Sequence, residues 1–304
     1  MTSESPAARL RSDRVPLGIA YMMGATALFS ASQAASKWQV DTYSFAEVLF
    51  FRGFGSLVIC ALLILPRHGL AVFRTRRLGA HVARNATQTV AQSFILIALA
   101  MMPLAGAMAI NFSSPLFASL AAALFLGERI GIARGMALVT GFCGVLVVIA
   151  PGADTFTTGA LFALGNAVLY GSITAAVRGL SVTESAETLT MHQMVMLSVF
   201  FAALLPVYGF RWPANAFDWT VLMTNGVLNG VGQYWWTRAL SMAPPAAVGP
   251  FYYFTLVWAM LFGFVFWGDV PTPALLAGSA IVVGSGLFLL WRERGSKSKE
   301  LPAD

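Results

Sequence analysis

Charge is what this sequence has least of. Of its 304 residues, 11% are Asp, Glu, Lys or Arg and 58% are hydrophobic. A water-soluble domain carries ~25% charged residues to cover its surface. That shortage excludes a soluble globule, and a mean hydropathy of +0.73 makes lipid the natural solvent. Cysteine is nearly absent. Cys60 and Cys143 both fall in apolar runs and are read as small core residues, not as a disulfide or redox pair. Three scattered histidines and those two cysteines offer no ligand spacing, so no metal is expected. There is no G-x-x-x-x-G-K-[ST] run for ATP and no G-x-S-x-G nucleophile elbow. Neither a cofactor nor an enzymatic activity is expected. The net charge of +6 would suggest nucleic acid in a soluble chain. Here the basic residues sit mainly in tails and loops, so no nucleic-acid partner is expected.

What is present is apolar length. A membrane-spanning helix takes ~20 apolar residues. Ten apolar segments are legible, at roughly 16–37, 43–66, 80–102, 104–126, 131–150, 158–178, 186–208, 217–241, 246–267 and 272–292. Together they leave only tails and short loops. That excludes a tethered catalytic domain, an ABC-type nucleotide-binding domain and a receptor ectodomain. Residues 1–15 are polar, and no cleavage-type site follows the first apolar run, so they read as an N-tail and not a removable signal. Residues 293–304 form the C-tail. With both tails and the even-numbered loops on one side, that side holds fourteen Lys and Arg residues and the other only Lys37 and Arg211. The positive-inside rule then places both termini in the cytoplasm.

The chain also repeats itself. Residue n compared with n+141 needs no gap from Gly18 to Gly127 and gives 21 identities in 110 positions, among them Gly24/Gly165, Ser44/Ser185, Gln92/Gln233 and Pro103/Pro244. Five helices per copy is an odd number, so the second copy enters the membrane from the opposite side. The predicted fold is an all-α membrane protein of ten transmembrane helices in two inverted five-helix repeats, 16–150 and 157–292. The charges agree: Arg67, Arg74, Arg76 and Arg77 have Tyr208, Asn215, Phe217 and Asp218 as repeat partners.

Inverted repeats place substrate near the midplane, between the halves. Arg84, Gln88 and Gln92 recur every four residues and line one face of segment 3. Asn225, Asn229 and Gln233 are their repeat partners in segment 8. This doubled stripe reads as cavity lining, with interhelical hydrogen bonding as the competing reading. Asn166, Tyr170 and Thr174 share a face of segment 6, and Asn111 and Pro115 lie in segment 4 opposite the Pro250–Thr255 run of segment 9. Intramembrane charges are costly and mark function by default. Arg52 would hold a substrate carboxylate, or else bond carbonyls or an acidic partner. Glu47 reads as a solvated helix-start residue or a proton-exchanging group. Arg84 and His192 complete the coupling or gating candidates. The substrate-contact set is Gln88, Gln92, Asn111, Tyr170, Asn229, Gln233, Tyr253 and Arg52. Trp38, Trp212, Trp219, Trp267 and Trp291 fall at expected helix ends as interface anchors. Gly226/Gly230 and Gly131/Gly135 have small-xxx-small spacing for close helix contact.

Each fourth helix ends in Leu126-Gly127-Glu128 or Trp267-Gly268-Asp269, and Leu49-Phe50-Phe51-Arg52 sits inside segment 2. On these residues the chain resembles EamA-type permeases of the drug/metabolite transporter superfamily over about 16–292. Within them it is similar to the YddG-type bacterial exporters of aromatic amino acids. It departs from the pattern at Gln193, which stands where the second repeat would carry the arginine, and in two extra residues after Asp269. The resemblance implies a carrier in the bacterial cytoplasmic membrane working by alternating access. Its expected substrates are aromatic or apolar amino acids, exported, from a monomer or loose dimer in membrane lipid, with proton coupling left open. A drug, nucleoside or lipid-linked sugar carrier is the alternative, and an intramembrane lipid-modifying enzyme a remoter one.

Overall fold

A computed structural model describes residues 15–126, 132–149, 158–180, 183–242 and 248–299. The tail before Val15, Gly127-Glu128, Gly131, Pro244, the junction between the repeats at 151–157 and residues 300–304 lie outside the described residues. Among the described residues the fold is all-α, with no strand. Its helices are α1 (Val15–Gln39), α2 (Phe45–His68), α3 (Leu78–Met101), α4 (Leu104–Asn111), α5 (Ser114–Leu126), α6 (Ile132–Ile149), α7 (Thr158–Leu180), α8 (Ala186–Tyr208), α9 (Ala216–Met242), α10 (Phe254–Trp267) and α11 (Pro273–Lys299). Short 3-10 turns occupy Gly69–Phe73 and Gly249–Tyr253.

The helix starts follow the repeat. Ser44 caps α2 in a capping box with Glu47, and its repeat partner Ser185 caps α8 by accepting from the Thr188 N–H at 3.1 Å. Lys37 donates to the carbonyls of Leu99 and Met102 at the end of α3, at 2.7 and 2.8 Å. In this way it satisfies acceptors that the helix end leaves open.

The fourth apolar segment is not one helix. Phe112 and Ser113 separate α4 from α5, because Pro115 lacks an N–H and disfavours helical backbone before it. Ser113 Oγ donates to the Ile110 carbonyl at 2.7 Å, which reuses an acceptor at the break. In the ninth segment Pro250 tightens the chain into the 3-10 turn ahead of α10. The two interruptions are repeat partners, and they meet. Phe112 and Tyr253, 141 residues apart, stand with ring centroids 5.3 Å apart.

Pseudo-symmetry extends into the packing. A Cβ on Gly24 would fall 2.5 Å from the Trp235 ring, and one on Gly165 would fall 2.8 Å from the Phe94 ring. Gly165 and Phe94 are the repeat partners of Gly24 and Trp235, so each half seats one aromatic ring on one glycine. The symmetry fails at one crossing. α2 and α9 approach until the Gly55 and Gly226 backbones touch, a Cβ on Gly55 lying 2.8 Å from the Gly226 Cα. At the equivalent crossing of α8 and α3, Met196 and Asn85 stand in their places, and the Asn85 amide meets the Met196 sulfur at 3.2 Å. Side chains keep apart there what glycines bring together, and α3 and α8 meet over a shorter stretch.

Among the described residues, four helical stretches are long and apolar enough to cross a membrane: Val15–Gln39, Phe45–Phe73, Ala186–Tyr208 and Pro250–Trp267. Shorter apolar helices run through Leu104–Ala118, Gly135–Val148 and Pro273–Phe288. The fourth segment is shortened by its break, and polar faces lower the hydropathy of α3 and α9. Two expectations need correction. Cys60 is buried, but Cys143 is exposed on α6. Trp291 lies inside α11, which runs on to Lys299 as a helix and so carries this tryptophan away from an end.

Gly226→Leu forces backbone apart and should lower the thermal midpoint of purified protein, by an equivalent of at least ~1–3 kcal/mol. Gly79→Ala, with nothing within 4 Å of the added Cβ, should leave the midpoint unchanged or slightly raised.

Candidate functional site

Arg52 lies two turns into α2 with 2% of its surface exposed. A buried cation needs acceptors on every side. Its guanidinium donates to Gln33 Oε1 at 3.1 Å, to Ser36 Oγ at 3.4 Å and to Gln92 Oε1, and Nε has no partner. Three helices thus share one charge, and no carboxylate forms a salt bridge with it among the described residues. The seam continues into α9. The Asn225 amide donates to Ser36 at 2.9 Å and Gln39 at 2.7 Å and accepts from Ser32 at 2.6 Å, while Asn229 donates to Ser56 at 2.9 Å. Asn225 and Asn229 therefore act as interhelical ties.

Arg84 mirrors this arrangement with its parts exchanged. It is buried on α3 and donates to Gln193 Oε1 at 2.7 Å and to the Leu189 carbonyl at 3.4 Å, again with Nε unpartnered. Gln193 is the repeat partner of Arg52, and Arg84 is the repeat partner of Asn225. Each crossing therefore holds one arginine and one amide, on opposite members. The arginine missing from α8 is supplied by α3.

Arg84 also stands where two features join. It lines a cavity of about 650 Å³ between α3 and α7, shared with Arg77, Thr87, Ser172, Ile173 and Leu180. Small-ligand sites span ~300–1,000 Å³. Tyr170 on α7 lies within range of the Arg84 charge, and Tyr252 within range of Tyr170, a relation of proximity and not a bond. Tyr252 and Tyr253 pack against Phe112 at the two helix interruptions, with centroids 5.6 and 5.3 Å away. Asn166, one turn before Tyr170, donates to Asn111 Oδ1 at 2.6 Å at the end of α4. Phenols, amides and a guanidinium thus converge from α3, α4, α7 and the turn before α10. Of these groups only Arg84 lines the cavity; the phenols and amides lie behind it, chemically able to stack on a flat ring and to hydrogen-bond its oxygens.

Of the residues expected from the sequence, Arg84 alone lines the open cavity. Asn111, Tyr170 and Tyr253 gather at the interruptions, whereas Arg52 and Gln92 belong to the seam. Gln88 is buried and Gln233 half-buried, and neither side-chain amide is bonded to protein. Glu47 begins α2 as expected but is fully buried, not solvated. Its carboxylate accepts from Ser44 N–H and Oγ and from the Arg211 N–H, which leaves it tied down as a cap and strap. His192 bonds the Thr188 carbonyl through Nδ1 at 2.9 Å and lies against His81, which sequence reasoning missed. His81 follows the charged Arg74–Arg77 loop and shares no spacing with His192, so only the fold unites them. Among the described residues no three His, Cys, Asp or Glu side chains gather to hold a metal.

The model of the EamA-like transporter family matches residues 16–150 and again 157–291. A riboflavin transporter of Rhizobium johnstonii is 31% identical over 94% of this chain and 95% of its own length. The pseudopaline exporter CntI of Pseudomonas aeruginosa is 28% identical over 93% and 99% respectively. An S-adenosylmethionine uptake transporter of Rickettsia felis is 24% identical over 93% and 95%. A solved crystal structure superposes with a TM-score of 0.63 at 20% identity, covering 91% of this chain and 98% of that one. That likeness speaks for the fold alone.

The two amide types should separate by melting in detergent. Asn225→Ala strips partners from Ser32, Ser36 and Gln39 and should destabilise by ~1–3 kcal/mol. Gln233→Ala removes no protein hydrogen bond and should melt within ~0.5 kcal/mol of wild type.

Proposed function

The chain belongs to the EamA-like transporter family, and we propose that it is a secondary carrier for a small, flat aromatic or heteroaromatic metabolite bearing oxygen acceptors. It is a multi-pass membrane transporter of the drug/metabolite type. In the proposed arrangement ten segments cross the bacterial cytoplasmic membrane with both termini inside, the two repeats rocking around the site between them. The observation that carries the substrate class is Arg84, which lines the α3/α7 cavity with its Nε unpartnered and has Tyr170 within range on the facing α7. Stacking on the phenols fixes a ring, and the guanidinium takes an oxygen or carboxylate. Riboflavin has both features and is the first candidate, because the riboflavin transporter of Rhizobium johnstonii matches along nearly the whole chain. Aromatic amino acids share the same two features in smaller form and form the second arm of the test.

Full-length protein in proteoliposomes should show saturable counterflow of labelled riboflavin, with tryptophan as a weaker competitor. Arg84→Gln and Tyr170→Ala should each raise the half-saturating concentration about tenfold, the equivalent of ~1.4 kcal/mol. If folded protein neither exchanges riboflavin nor is inhibited by tryptophan, the reading falls.

Gly286 gives a second, indirect probe. The Tyr253 hydroxyl occupies the space a Cβ there would need. Gly286→Ala should push the Tyr253 ring aside, weakening riboflavin counterflow with little loss of thermal stability.

A further inference from the structure

A buried titratable group outside the site just described is His81. It has 0% of its surface exposed, and neither ring nitrogen has a hydrogen-bond partner. It sits in the first turn of α3 with its ring 4.4 Å from that of His192 on α8. Glu184, in the link between α7 and α8, brings Oε1 to 3.9 Å from His81 Nε2. That oxygen is already held by the Thr75 hydroxyl at 2.6 Å. The other charged groups facing the cluster are Arg84 on the same helix, one turn on, and Arg77 at its start, which reaches Thr183 beside Glu184 at 3.4 Å. His68 and Glu187 form a separate contact at 4.0 Å between the end of α2 and the start of α8.

The repeat shows that packing does not require these rings. His81 and His192 have Leu222 and Phe51 as their partners in the other half, and both of those belong to the main apolar core. The same contact between a stripe helix and its neighbour is thus apolar at α2/α9 and ionisable at α3/α8. It is also the looser of the two crossings, the one spaced by Asn85 and Met196. Two unprotonated imidazoles there leave a buried nitrogen stranded, which is unfavourable. One added proton turns the stack into a cation that burial and the Arg84 guanidinium oppose and that the Glu184 carboxylate, facing it at 3.9 Å, favours.

We propose that His81, His192 and Glu184 form a one-proton site that ties the cytoplasmic end of α3 to α8, and that proton binding there is coupled to substrate movement past Arg84. The coupling rests on the carrier function proposed above; the proton site itself does not. Protonation strengthens the α3/α8 contact, and deprotonation loosens the helix that carries Arg84 and the cavity wall. Substrate and proton thus bias one movement from two positions along α3, and by linkage each affects the other's binding.

The chain has only three histidines, so nitrogen-15 histidine spectra of the full-length protein in lipid nanodiscs report on the cluster directly. His81 and His192 should take up a single proton between them as the pH is lowered. Glu184→Gln should move that titration to lower pH by roughly one unit, having removed the facing anion. In proteoliposomes, a one-unit pH gradient should drive riboflavin to a concentration ratio approaching tenfold, whose sign distinguishes symport from antiport. His81→Gln should hold that ratio near one while counterflow at equal pH stays within about twofold of wild type. Independent titration of the two rings, or a midpoint unmoved by Glu184→Gln, overturns the site. A wild-type ratio of one alongside active counterflow, or a His81→Gln variant that still concentrates riboflavin, overturns the coupling. Absence of counterflow itself defeats the substrate reading, while the titration still decides the proton site.

Discussion

A guanidinium buried in an apolar bundle without a carboxylate must be held by neutral oxygens from several helices at once, and that requirement organises this molecule. Arg52 gathers Gln33 and Ser36 from α1 and Gln92 from α3. Through Ser36 it reaches Asn225 on α9. The helices of the first crossing are therefore fixed by one charge as much as by apolar contact. Without a strong hydrophobic drive between helices in lipid, such polar ties and close glycine contacts carry much of the specificity. Here both occur together, since the Gly55/Gly226 contact lies one turn along α2 from Arg52.

The second crossing has the same ingredients and a different balance. Arg84 stands on the helix that carries Asn225 in the other half, and Gln193 takes the place of Arg52. Moving the arginine from one member to the other turns its head toward the α3/α7 cavity and Tyr170, away from a seam closed on all sides. Arg84 therefore has fewer ties than Arg52, and they come from a single helix. Asn85 and Met196 add space where glycines close the first crossing. Inverted repeats with identical crossings would favour neither of two rocked arrangements. This pair is unequal, so in the proposed cycle the α3/α8 side is the one that yields, while α2/α9 serves as the fixed side.

Much of this was readable in the sequence, and the rest fails for identifiable reasons. The apolar runs mark the helices, and the n+141 register pairs Ser44 with Ser185 and Gly24 with Gly165; that the first pair caps helices and the second seats Trp235 and Phe94 emerges only in the structure. The doubled stripe on α3 and α9 was visible, but its meaning was not. Asn225 and Asn229 look identical to Gln88 and Gln233 in spacing, and only their neighbours show that the first two bind protein. Glu47 was placed at a helix start and mistaken for a solvated group, since the loop carrying Arg211 folds over it from 164 residues away. The break at Phe112 was hinted at by Pro115, yet its meeting with Tyr253 depends on the pseudo-two-fold arrangement of the whole bundle.

That meeting bears on why the helices are interrupted at all. An unbroken helix satisfies its own backbone and presents only side chains, so it offers a ligand limited hydrogen bonding. Interrupting α4/α5 and the segment before α10 at equivalent positions frees carbonyls at two places and turns aromatic residues toward each other. Ser113, Thr255 and Ser30 take up part of the freed capacity, Ser30 donating to the Thr255 carbonyl at 2.8 Å. Because Phe112 and Tyr253 are repeat partners, the proposed inverted relation of the two halves would put their contact on its axis. A contact on that axis maps onto itself when the two halves exchange conformations, so it can persist while the crossings around it open and close. It is the natural pivot of the proposed movement, and it places the phenols of the candidate site where the least displacement is required of them.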